Sequence, residues 1–413
     1  MKKICLSVVG LFFFCFKAFT QTVPDSIYEP KPLKLEETNL VSSYYVQDGN
    51  HSAVRGGIGD EHVVDLSNGL NLKFVGRDMS NIKHSLTLGL GFDHHTAASQ
   101  AYVAKSGASK TQGTRIYPSL DWLKENEAKG TSFGLGVSYS GEYNYHSFGM
   151  NASASVKTKN DGQFDVKVSA YLDKVTLIYP SELIPTSSTS TSTSTTTTAS
   201  GRTIGGGGGG SSYSIPTSPR NTLSGSFTFS QVINSRLQAS ITTDIVDQNG
   251  YLGLPFHRVF FSDGSEQVEK LPSNRFKLPI GLRLNYFAGD RFIIRSYYRF
   301  YKDDWGLLAH TAEIEIPVKI TPFFSVSPFY RYYTQTASDY FAPYLAHKNT
   351  DQYFTSNYAL SALSSQYIGA GIKITPPDGI LKTHLSSLEL RYGHYLQSTE
   401  LVSNIISLSM QFK

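Results

Sequence analysis

The C-terminal segment LVSNIISLSMQFK, residues 401–413, decides the fold of this chain. Read with a period of two residues, one face of the segment is apolar and carries Val402, Ile406, Leu408, Met410 and Phe412. The other face is small and polar, with Ser403, Ser407, Ser409 and Gln411. A strand of a transmembrane β-barrel has this pattern because lipid lies on one side of it and a polar lumen on the other. The segment therefore predicts a membrane barrel whose last strand ends at Phe412.

The opposite end of the chain predicts export. Lys2 and Lys3 precede an apolar stretch that runs to Phe19, after which the chain becomes polar. This is the composition of a secretory signal peptide, and the stretch is too short and wrongly flanked for a stable membrane helix. We predict a cleaved signal peptide over residues 1–20.

Composition excludes several classes of fold and partner. Both cysteines, Cys5 and Cys15, lie in the signal peptide, so the exported chain is expected to fold without disulfides. The 37 basic residues nearly balance the 33 acidic ones, which removes the electrostatic argument for nucleic-acid binding. Beyond the signal peptide there is no apolar run of about 18 residues, so no membrane-spanning helix is predicted. An exported chain rich in Tyr and Phe fits a barrel in the outer membrane of a Gram-negative bacterium.

Alternation of apolar and small polar residues recurs along almost the whole chain. Clear examples are residues 85–92, 132–140, 164–173 and 237–245. A tilted strand of about ten residues is long enough to cross a bilayer, and the predicted connections take turns between short and long, as periplasmic turns and external loops do. We predict an all-β fold, a transmembrane antiparallel β-barrel of about sixteen strands, with fourteen as the alternative count. The last strand is expected to close the barrel against residues 39–47.

Two segments are not expected to form barrel strands. Residues 21–37 are polar and contain proline, so we predict a periplasmic lead-in before a barrel that occupies residues 38–413. Residues 181–219 hold a Ser/Thr tract and a run of glycines, a composition that buries too little apolar surface to offset the cost of ordering. We expect a disordered external loop there; a glycan acceptor or binding arm is the alternative to an inert, variable loop.

The strongest candidate site is a group of charges on four consecutive predicted strands. This lumen charge cluster consists of Lys277, Arg283, Arg295, Arg299, Glu313, Glu315, Lys319 and Arg331. A charge that faces lipid near mid-bilayer costs about 2–4 kcal/mol, so the cluster is expected to point into the lumen. A hairpin centred near Asp304 would place Arg295 opposite Glu313 as a cross-strand ion pair. Two interpretations stay open: a charged constriction that selects solutes, and a structural salt-bridge lattice that fills a plugged lumen.

Other candidate chemistry is weaker. A group of imidazoles and carboxylates lies near the outer ends of the first strands and comprises His51, Asp60, Glu61, His62, Asp93, His94 and His95. Such groups can bind a divalent metal, but the spacing of these residues is not that of a metal site. We favour the interpretation that they are solvated loop residues. Aromatic residues near strand ends, with Trp122 and Trp305, are expected in girdles at the membrane interfaces. No nucleophile elbow, zinc-peptidase motif, phosphate loop or dinucleotide-binding motif occurs. We therefore predict no enzymatic activity, no catalytic residues, no metal and no cofactor.

The segment YYVQDGNHSAVRGGIGDE, residues 44–61, resembles the N-terminal signature of an uncharacterised family of Gram-negative outer-membrane proteins, known mainly as a domain of unknown function. The resemblance extends from about residue 38 to the end of the chain, and its signature loop consists of Gln47, Asp48, Gly49, Gly56, Gly57 and Gly59. These glycines predict a tightly folded first loop tucked into the lumen. Genes of the family stand beside those of small lipoproteins and flavin-attaching periplasmic enzymes, which implies a partner role in extracytoplasmic redox chemistry. The family supplies no catalytic residues.

The sequence as a whole predicts passage or presentation at the outer membrane. We expect a porin-like channel or transporter with a charged lumen. The alternative is a non-conducting scaffold that holds or exports a partner lipoprotein and is linked to flavin redox chemistry. The expected partners are outer-membrane lipids, the barrel-assembly machinery during biogenesis and, for the scaffold, a small lipoprotein.

Overall fold

A computed structural model of the chain describes residues 29–96, 113–180, 183 and 216–413. The predicted signal peptide and most of the loop predicted over residues 181–219 lie outside this range. Within it the named helices are 3-10 turns of 3 residues. None of the helices in these ranges is long and apolar enough to cross a membrane.

One large antiparallel sheet holds seventeen of the strands. Its first nine strands are β1 (Lys31–Asp48), β2 (Val63–Arg77), β3 (Lys83–His95), β4 (Gly113–Asn126), β5 (Thr131–Glu142), β6 (Tyr145–Lys157), β7 (Gly162–Thr176), β8 (Thr217–Asn234) and β9 (Leu237–Gly250). A separate hairpin of β10 (Arg258–Phe260) and β11 (Glu266–Val268) follows. The sheet continues with β12 (Asn274–Ala288), β13 (Phe292–Asp303), β14 (Leu308–Glu315), β15 (Val318–Thr321), β16 (Phe324–Gln335), β17 (Leu363–Ile374), β18 (Leu385–Gln397) and β19 (Val402–Phe412).

The sheet closes on itself into a barrel. β19 pairs with β1 from Thr38 opposite Phe412 to Asp48 opposite Val402, which is the predicted closure. β14 and β15 are two halves of one strand, because both pair with β13 and with β16 and only Ile316 and Pro317 separate them. Proline has no backbone N–H to donate to the ladder. Counted so, the barrel has sixteen strands, which confirms the predicted fold and favours the count of sixteen over fourteen.

Two strands extend further than the sequence pattern indicates. β1 begins at Lys31 and pairs with β2 through two register shifts, so residues 31–37 of the predicted lead-in belong to a strand. β8 begins at Thr217, inside the predicted loop, and pairs there with Thr176 of β7. Both strands are 18 residues long, more than a bilayer crossing requires. Because these ends extend beyond the length of a bilayer crossing, the sequence pattern of a membrane strand does not mark where they begin.

The two faces of the barrel wall differ as the alternation predicts. Leu88, Leu90 and Phe92 on the outer face of β3 are 40%, 52% and 41% exposed, and the outer residues of β5, β7 and β9 are similar. A continuous band of exposed apolar side chains is the lipid-facing surface of a transmembrane barrel. The inner face carries mostly Ser, Gly, Asn, Thr and charged residues.

The barrel has two unlike ends. At one, the turn end, the strands join through short connections such as 78–82 and 235–236, and both β1 and β19 have their free ends there. At the other, the loop end, lie the long connections 49–62, 251–273 and 336–362. The alternation of short and long connections is as predicted.

Candidate functional site

The lumen charge cluster lies on the inner wall of β12–β16. Arg283, Tyr297, Glu313 and Arg331 form one row across four strands, because each stands opposite the next in the strand register. Arg299 lies one inner-face position nearer the loop end, and Arg295 one position nearer the turn end. The apolar residues that alternate with the cluster, such as Leu282 and Ile314, are exposed on the outer face.

Arg295 does not stand opposite Glu313, so that predicted pair is wrong. Its partner is Glu315, with 3.6 Å between Arg295 Nη1 and Glu315 Oε1. The hairpin is centred later than Asp304, because Asp303 N–H donates to the carbonyl of Leu307 and residues 304–307 form the connection. Asp303 Oδ1 stabilises this turn by accepting the N–H groups of Trp305 and Leu307, each at 3.0 Å. Because the turn is longer than predicted, each residue of β13 pairs with a β14 residue two positions later than predicted.

Toward the turn end, part of the cluster is a salt-bridge network, which we call the ionic lattice. Glu315 also accepts from Arg391 Nη1 at 3.3 Å, and the same nitrogen donates to Glu389 at 3.2 Å. Lys373 Nζ is 3.5 Å from Glu389, and the guanidinium of Arg391 lies 4.9 Å from the ring centre of Phe329. The lattice thus consists of Arg295, Glu315, Lys373, Glu389 and Arg391. Its last three members were missed in the sequence, because β17 carries one charge and β18 two, and their partners on other strands depend on register.

Nearer the loop end, four cations of the same wall have no carboxylate within 4.0 Å among the described residues; these free cations are Lys277, Arg283, Arg299 and Arg331. Arg283 lies 5.2 Å from the ring centre of Tyr297, and Arg331 lies 4.9 Å from that of Tyr367. A ring face positions a guanidinium without neutralising its charge. The cluster therefore divides into a lattice that is mostly paired and a set of cations that is not. Lys319 lies on β15 near the turn end, opposite Ser325.

The wall opposite the free cations is built differently. In a ring of sixteen strands, those eight positions apart face each other, so β12, β13 and β16, which carry the free cations, face β2, β3 and β5. The inner faces of β2, β3 and β5 carry mostly small residues, among them Ser67, Gly69, Asn71, Thr87, Gly89, Gly91, Ser132, Gly134, Gly136 and Ser138. A recess of about 550 Å³ opens beside this wall, between β4 and β8. Long Arg and Tyr side chains thus project toward a wall of small ones.

Charge is also unevenly divided between the walls. On the inner face of β12–β18 cations outnumber acids: Arg275, Lys277, Arg283, Arg295, Arg299, Lys319, Arg331, Lys373 and Arg391 against Asp303, Glu313, Glu315 and Glu389. On the inner face of β2–β9 the two signs nearly balance: Asp65, Asp93, Asp121, Glu125, Glu142, Asp165, Asp173 and Asp244 against Lys73, Arg77, Lys83, Arg115, Lys157, Lys167 and Arg220. The lumen is therefore basic on one side and nearly neutral on the other.

Three long loops meet over the loop end; we call residues 49–62, 251–273 and 336–362 together the lid. Arg258 Nη1 donates to the carbonyl of Val54 at 2.8 Å, and the ring of His51 stacks on that of Tyr358 with 3.7 Å between centroids. The first loop joins β1 to β2 and the second joins β9 to β12, which are eight positions away across the ring. Sixteen tilted strands make a barrel about 30 Å across. A contact between these two loops must therefore cross the mouth.

The lid has a core of its own. Val259, Phe261 and Phe354 are 0%, 0% and 3% exposed and pack together. Among the described residues they form the only cluster of buried apolar side chains, because the barrel wall has lipid on one side and a polar lumen on the other. The lid is thus a folded unit rather than a set of independent loops.

A buried carboxylate joins the second and third loops of the lid. Glu269 Oε1 accepts a hydrogen bond of 2.5 Å from Thr355 Oγ1, Oε2 accepts one of 2.8 Å from the N–H of Leu254, and His257 Nδ1 is 3.5 Å from the same Oε2. Burial raises the pKa of Glu269, but His257 and these hydrogen bonds outweigh burial and hold the pKa below its usual value. On the neighbouring loop, burial raises the pKa of Glu61 above its usual value. Glu269 is thus ionised and saturated with partners.

The signature loop is tightly folded, as its glycines predict. Gly56, Gly57 and Gly59 have φ values of 76°, 87° and 81°, which favour glycine. Gly56 also packs so closely on Phe260 that an added Cβ would lie 2.5 Å from the ring. Gln47 Nε2 donates to the carbonyl of Glu61 at 3.3 Å and ties the loop to the barrel wall. The glycines thus let the first loop fit against the second.

The remaining candidates have ordinary partners. His51 stacks on Tyr358, His62 is 2.6 Å from Asp48, and His95 is 3.3 Å from Glu142. In the part of the chain that the structure describes, no three His, Cys, Asp or Glu side chains gather as a metal site would require. Trp305 is not a girdle residue: it is 2% exposed, donates from Nε1 to the carbonyl of Asn274, and lies under the guanidinium of Arg275 at 4.3 Å.

The closed ring, the apolar outer band and the charged inner wall define a transmembrane β-barrel of the outer-membrane type. The sequence pattern of the family described as "Protein of unknown function (DUF3570)" matches residues 83–400. The chain belongs to this family. The match begins after the glycine-rich loop, so the role of that loop as a family signature stays a prediction.

Solved barrels show a similar strand pattern at low sequence identity. A bacterial polysaccharide outer membrane secretin has a TM-score of 0.44 and 9% identity over 91% of this chain and 98% of its own. OccD3 (OpdP) of Pseudomonas aeruginosa has a TM-score of 0.42 and 10% identity over 95% and 96%. OccK1 (OpdK) of the same organism has 0.40 and 8% over 91% and 97%. Likeness at this level carries no inference about solute or mechanism. None of the curated protein sequences matches the chain.

Proposed function

We propose that this protein is a porin-like channel of the Gram-negative outer membrane, with a lumen lined by free cations and a mouth controlled by the lid. The observation that carries the proposal is the set of cations without counter-carboxylates that faces a wall of small residues. A lattice built only to fill a lumen would pair such charges, because an unpaired charge in a closed interior is costly. Free cations beside open space are suited to a water-filled passage.

The proposed orientation follows from the ends of the barrel. Outer-membrane barrels have short periplasmic turns and longer external loops. The turn end then lies in the periplasm and the lid faces the outside. Lipids contact the apolar band, and the barrel-assembly machinery is the expected partner during insertion.

Planar-bilayer recording tests this proposal. The purified protein is expected to give discrete, ohmic conductance steps, and Arg258→Met, which loosens the lid, is expected to lengthen or enlarge them. Folding of both proteins is checked by heat-modifiable mobility on gels. Absence of steps from both folded proteins would exclude a channel.

The lid supports a second candidate, the non-conducting scaffold that holds or exports a partner lipoprotein. A folded unit across the mouth, with its own buried core, is also suited to a barrel that conducts nothing. Such a scaffold would co-purify with a small lipoprotein after mild detergent extraction. A covalent flavin on that partner, or on an associated enzyme, would be detected as yellow fluorescence on a denaturing gel. A stoichiometric partner together with an absence of conductance favours the scaffold.

A further inference from the structure

We infer that the solutes of this channel are small oxyanions, carried along a basic track on β12–β16 formed by Arg299, Arg283 and Arg331. The inference rests on the proposed channel function and adds the sign and chemical class of the solute. It begins from the division between paired and free cations on the inner wall.

The three arginines form two successive levels. Arg283 and Arg331 share one row of the register, and Arg299 is one inner-face position nearer the loop end. Successive inner-face residues on a strand are about 6.6–6.8 Å apart. The Debye length at physiological ionic strength is about 8 Å. An anion at one level is therefore still within the electrostatic field of the arginine side chains at the next level.

The charges of this track are held but not neutralised. Glu313 stands opposite Arg331 in the register, yet the guanidinium lies over Tyr367 at 4.9 Å instead of pairing with it. Arg283 lies over Tyr297 in the same way at 5.2 Å. A planar guanidinium fixed by a ring keeps its N–H groups available for the two oxygens of a carboxylate or phosphate. Lysine would offer the charge without this fork geometry.

The opposite wall adds to the preference. Asp121 and Asp165 lie on the inner face of β4 and β7, where the remaining charges nearly balance. They repel an anion from that wall and attract a cation, so the two signs of charge are drawn to different sides. An anion is thus drawn to the basic wall, where the guanidinium groups of Arg283, Arg299 and Arg331 have no carboxylate partner within 4.0 Å among the described residues.

The test measures ion selectivity of the whole protein in a planar bilayer under a KCl gradient. The reversal potential of the wild type is expected to show a chloride-over-potassium permeability of about threefold or more. The variant Arg283→Gln, Arg299→Gln, Arg331→Gln is expected to lower this ratio to about one. Three cations of the other wall, in Lys73→Gln, Arg115→Gln, Lys167→Gln, give a matched control with the same change in net charge, expected to lower the ratio much less than the arginine variant does.

Oxyanion probes give the second measurement. Sodium benzoate and inorganic phosphate, added to one side, are expected to reduce the wild-type chloride current in a saturable way, and the arginine variant is expected to need at least about tenfold more of either probe. Block by only one of the two identifies the source of the oxyanion as carboxylate or phosphate.

The outcomes separate the two proposals. Potassium selectivity of a conducting wild type, or an equal loss of selectivity in the variant and the control, overturns the anion track and leaves the channel standing. Failure of the folded wild type and of Arg258→Met to conduct overturns the channel, and the track with it.

Discussion

Glu269 is the residue on which the lid depends most. It is 5% exposed, and its oxygens have partners from both the second and the third loop. Because its pKa is held below the usual value, the ionised form is favoured in the folded lid. Its contribution to lid stability is therefore complete above the unfolded value of about 4.5 and is lost as pH falls through the lower folded value.

We predict acid-induced opening of the lid. Below about pH 4.5, the wild type is expected to become sensitive to proteolysis in the lid loops, or to gate more often in bilayers, because protonated Glu269 loses its charge-assisted contacts. Glu269→Gln should behave at neutral pH as the wild type does in acid. Glu61 changes lid stability in the opposite direction. Because its pKa is raised in the folded lid, ionisation of Glu61 lowers lid stability as pH rises above about 4.5. The two carboxyls therefore act in separate pH ranges. An acid response that persists unchanged in Glu269→Gln would contradict this assignment.

Substitutions of Arg391 and Arg299 are predicted to differ in their effect on stability, although both residues are arginines of one wall. Arg391→Gln leaves Glu315 and Glu389 without a shared partner and should lower the free energy of unfolding by roughly 1–3 kcal/mol. Arg299→Gln removes no ion pair and should be nearly neutral. Urea unfolding in lipid vesicles measures both. Equal losses of stability would show that the free cations are structural.

At the scale of the element, β19 shows how a strand can be assigned to lipid and lumen by its alternation alone. Its register with β1 places Ser407 opposite Ser43 and Leu408 opposite Ser42. Ser43 and Ser407 then face the lumen, and Leu408 faces lipid. Neighbouring residues of one strand thus face different solvents.

This difference predicts the effect of a single charge. Leu408→Arg is expected to cost about 2–4 kcal/mol of stability, because it places a cation on the lipid face of the barrel. Ser407→Arg places the same cation in the lumen and should cost much less. Refolding from urea into vesicles compares the two. A similar cost for both would mean that the assigned faces are wrong.

Alternation made the strands and their faces predictable, whereas register was not. A period of two is repeated along each strand, so Arg283 and Arg299 were correctly placed on inner faces. The partner of Arg295 depends instead on how many residues the turn contains, and one longer turn replaced Glu313 by Glu315. The lattice around Arg391 was missed for the same reason, since its members come from four strands.

At the scale of the whole molecule, the lid is the feature that sequence reasoning could not supply. Val54 and Arg258 are 204 positions apart, and no local pattern reports such a contact. The glycines of the first loop indicated tight folding but not the partner. Trp305 was assigned to a girdle by its residue type, although the ring is covered by Arg275 and the third loop of the lid.

We predict that the lid controls conductance. Arg258→Met removes the hydrogen bond that joins the first loop to the second and should increase open time or single-channel conductance severalfold. Lys348→Met is the matched control, because it removes the same charge from an exposed residue of the third loop whose side chain has no hydrogen bond or ion pair with the described residues. Equal behaviour of the two variants would indicate that the lid does not gate.

The wide sequence separation within the lid also has a consequence for biogenesis. Contacts between loops on opposite sides of the ring cannot form, and so cannot stabilise the protein, until the sheet has curved into a barrel. Bringing together residues so far apart in the chain is also entropically costly. The lid is therefore expected to fold last, after β19 has met β1. A protease-resistant lid would then be a marker of completed assembly: nascent barrels stalled before closure should be cleaved in residues 251–273, and mature ones should not.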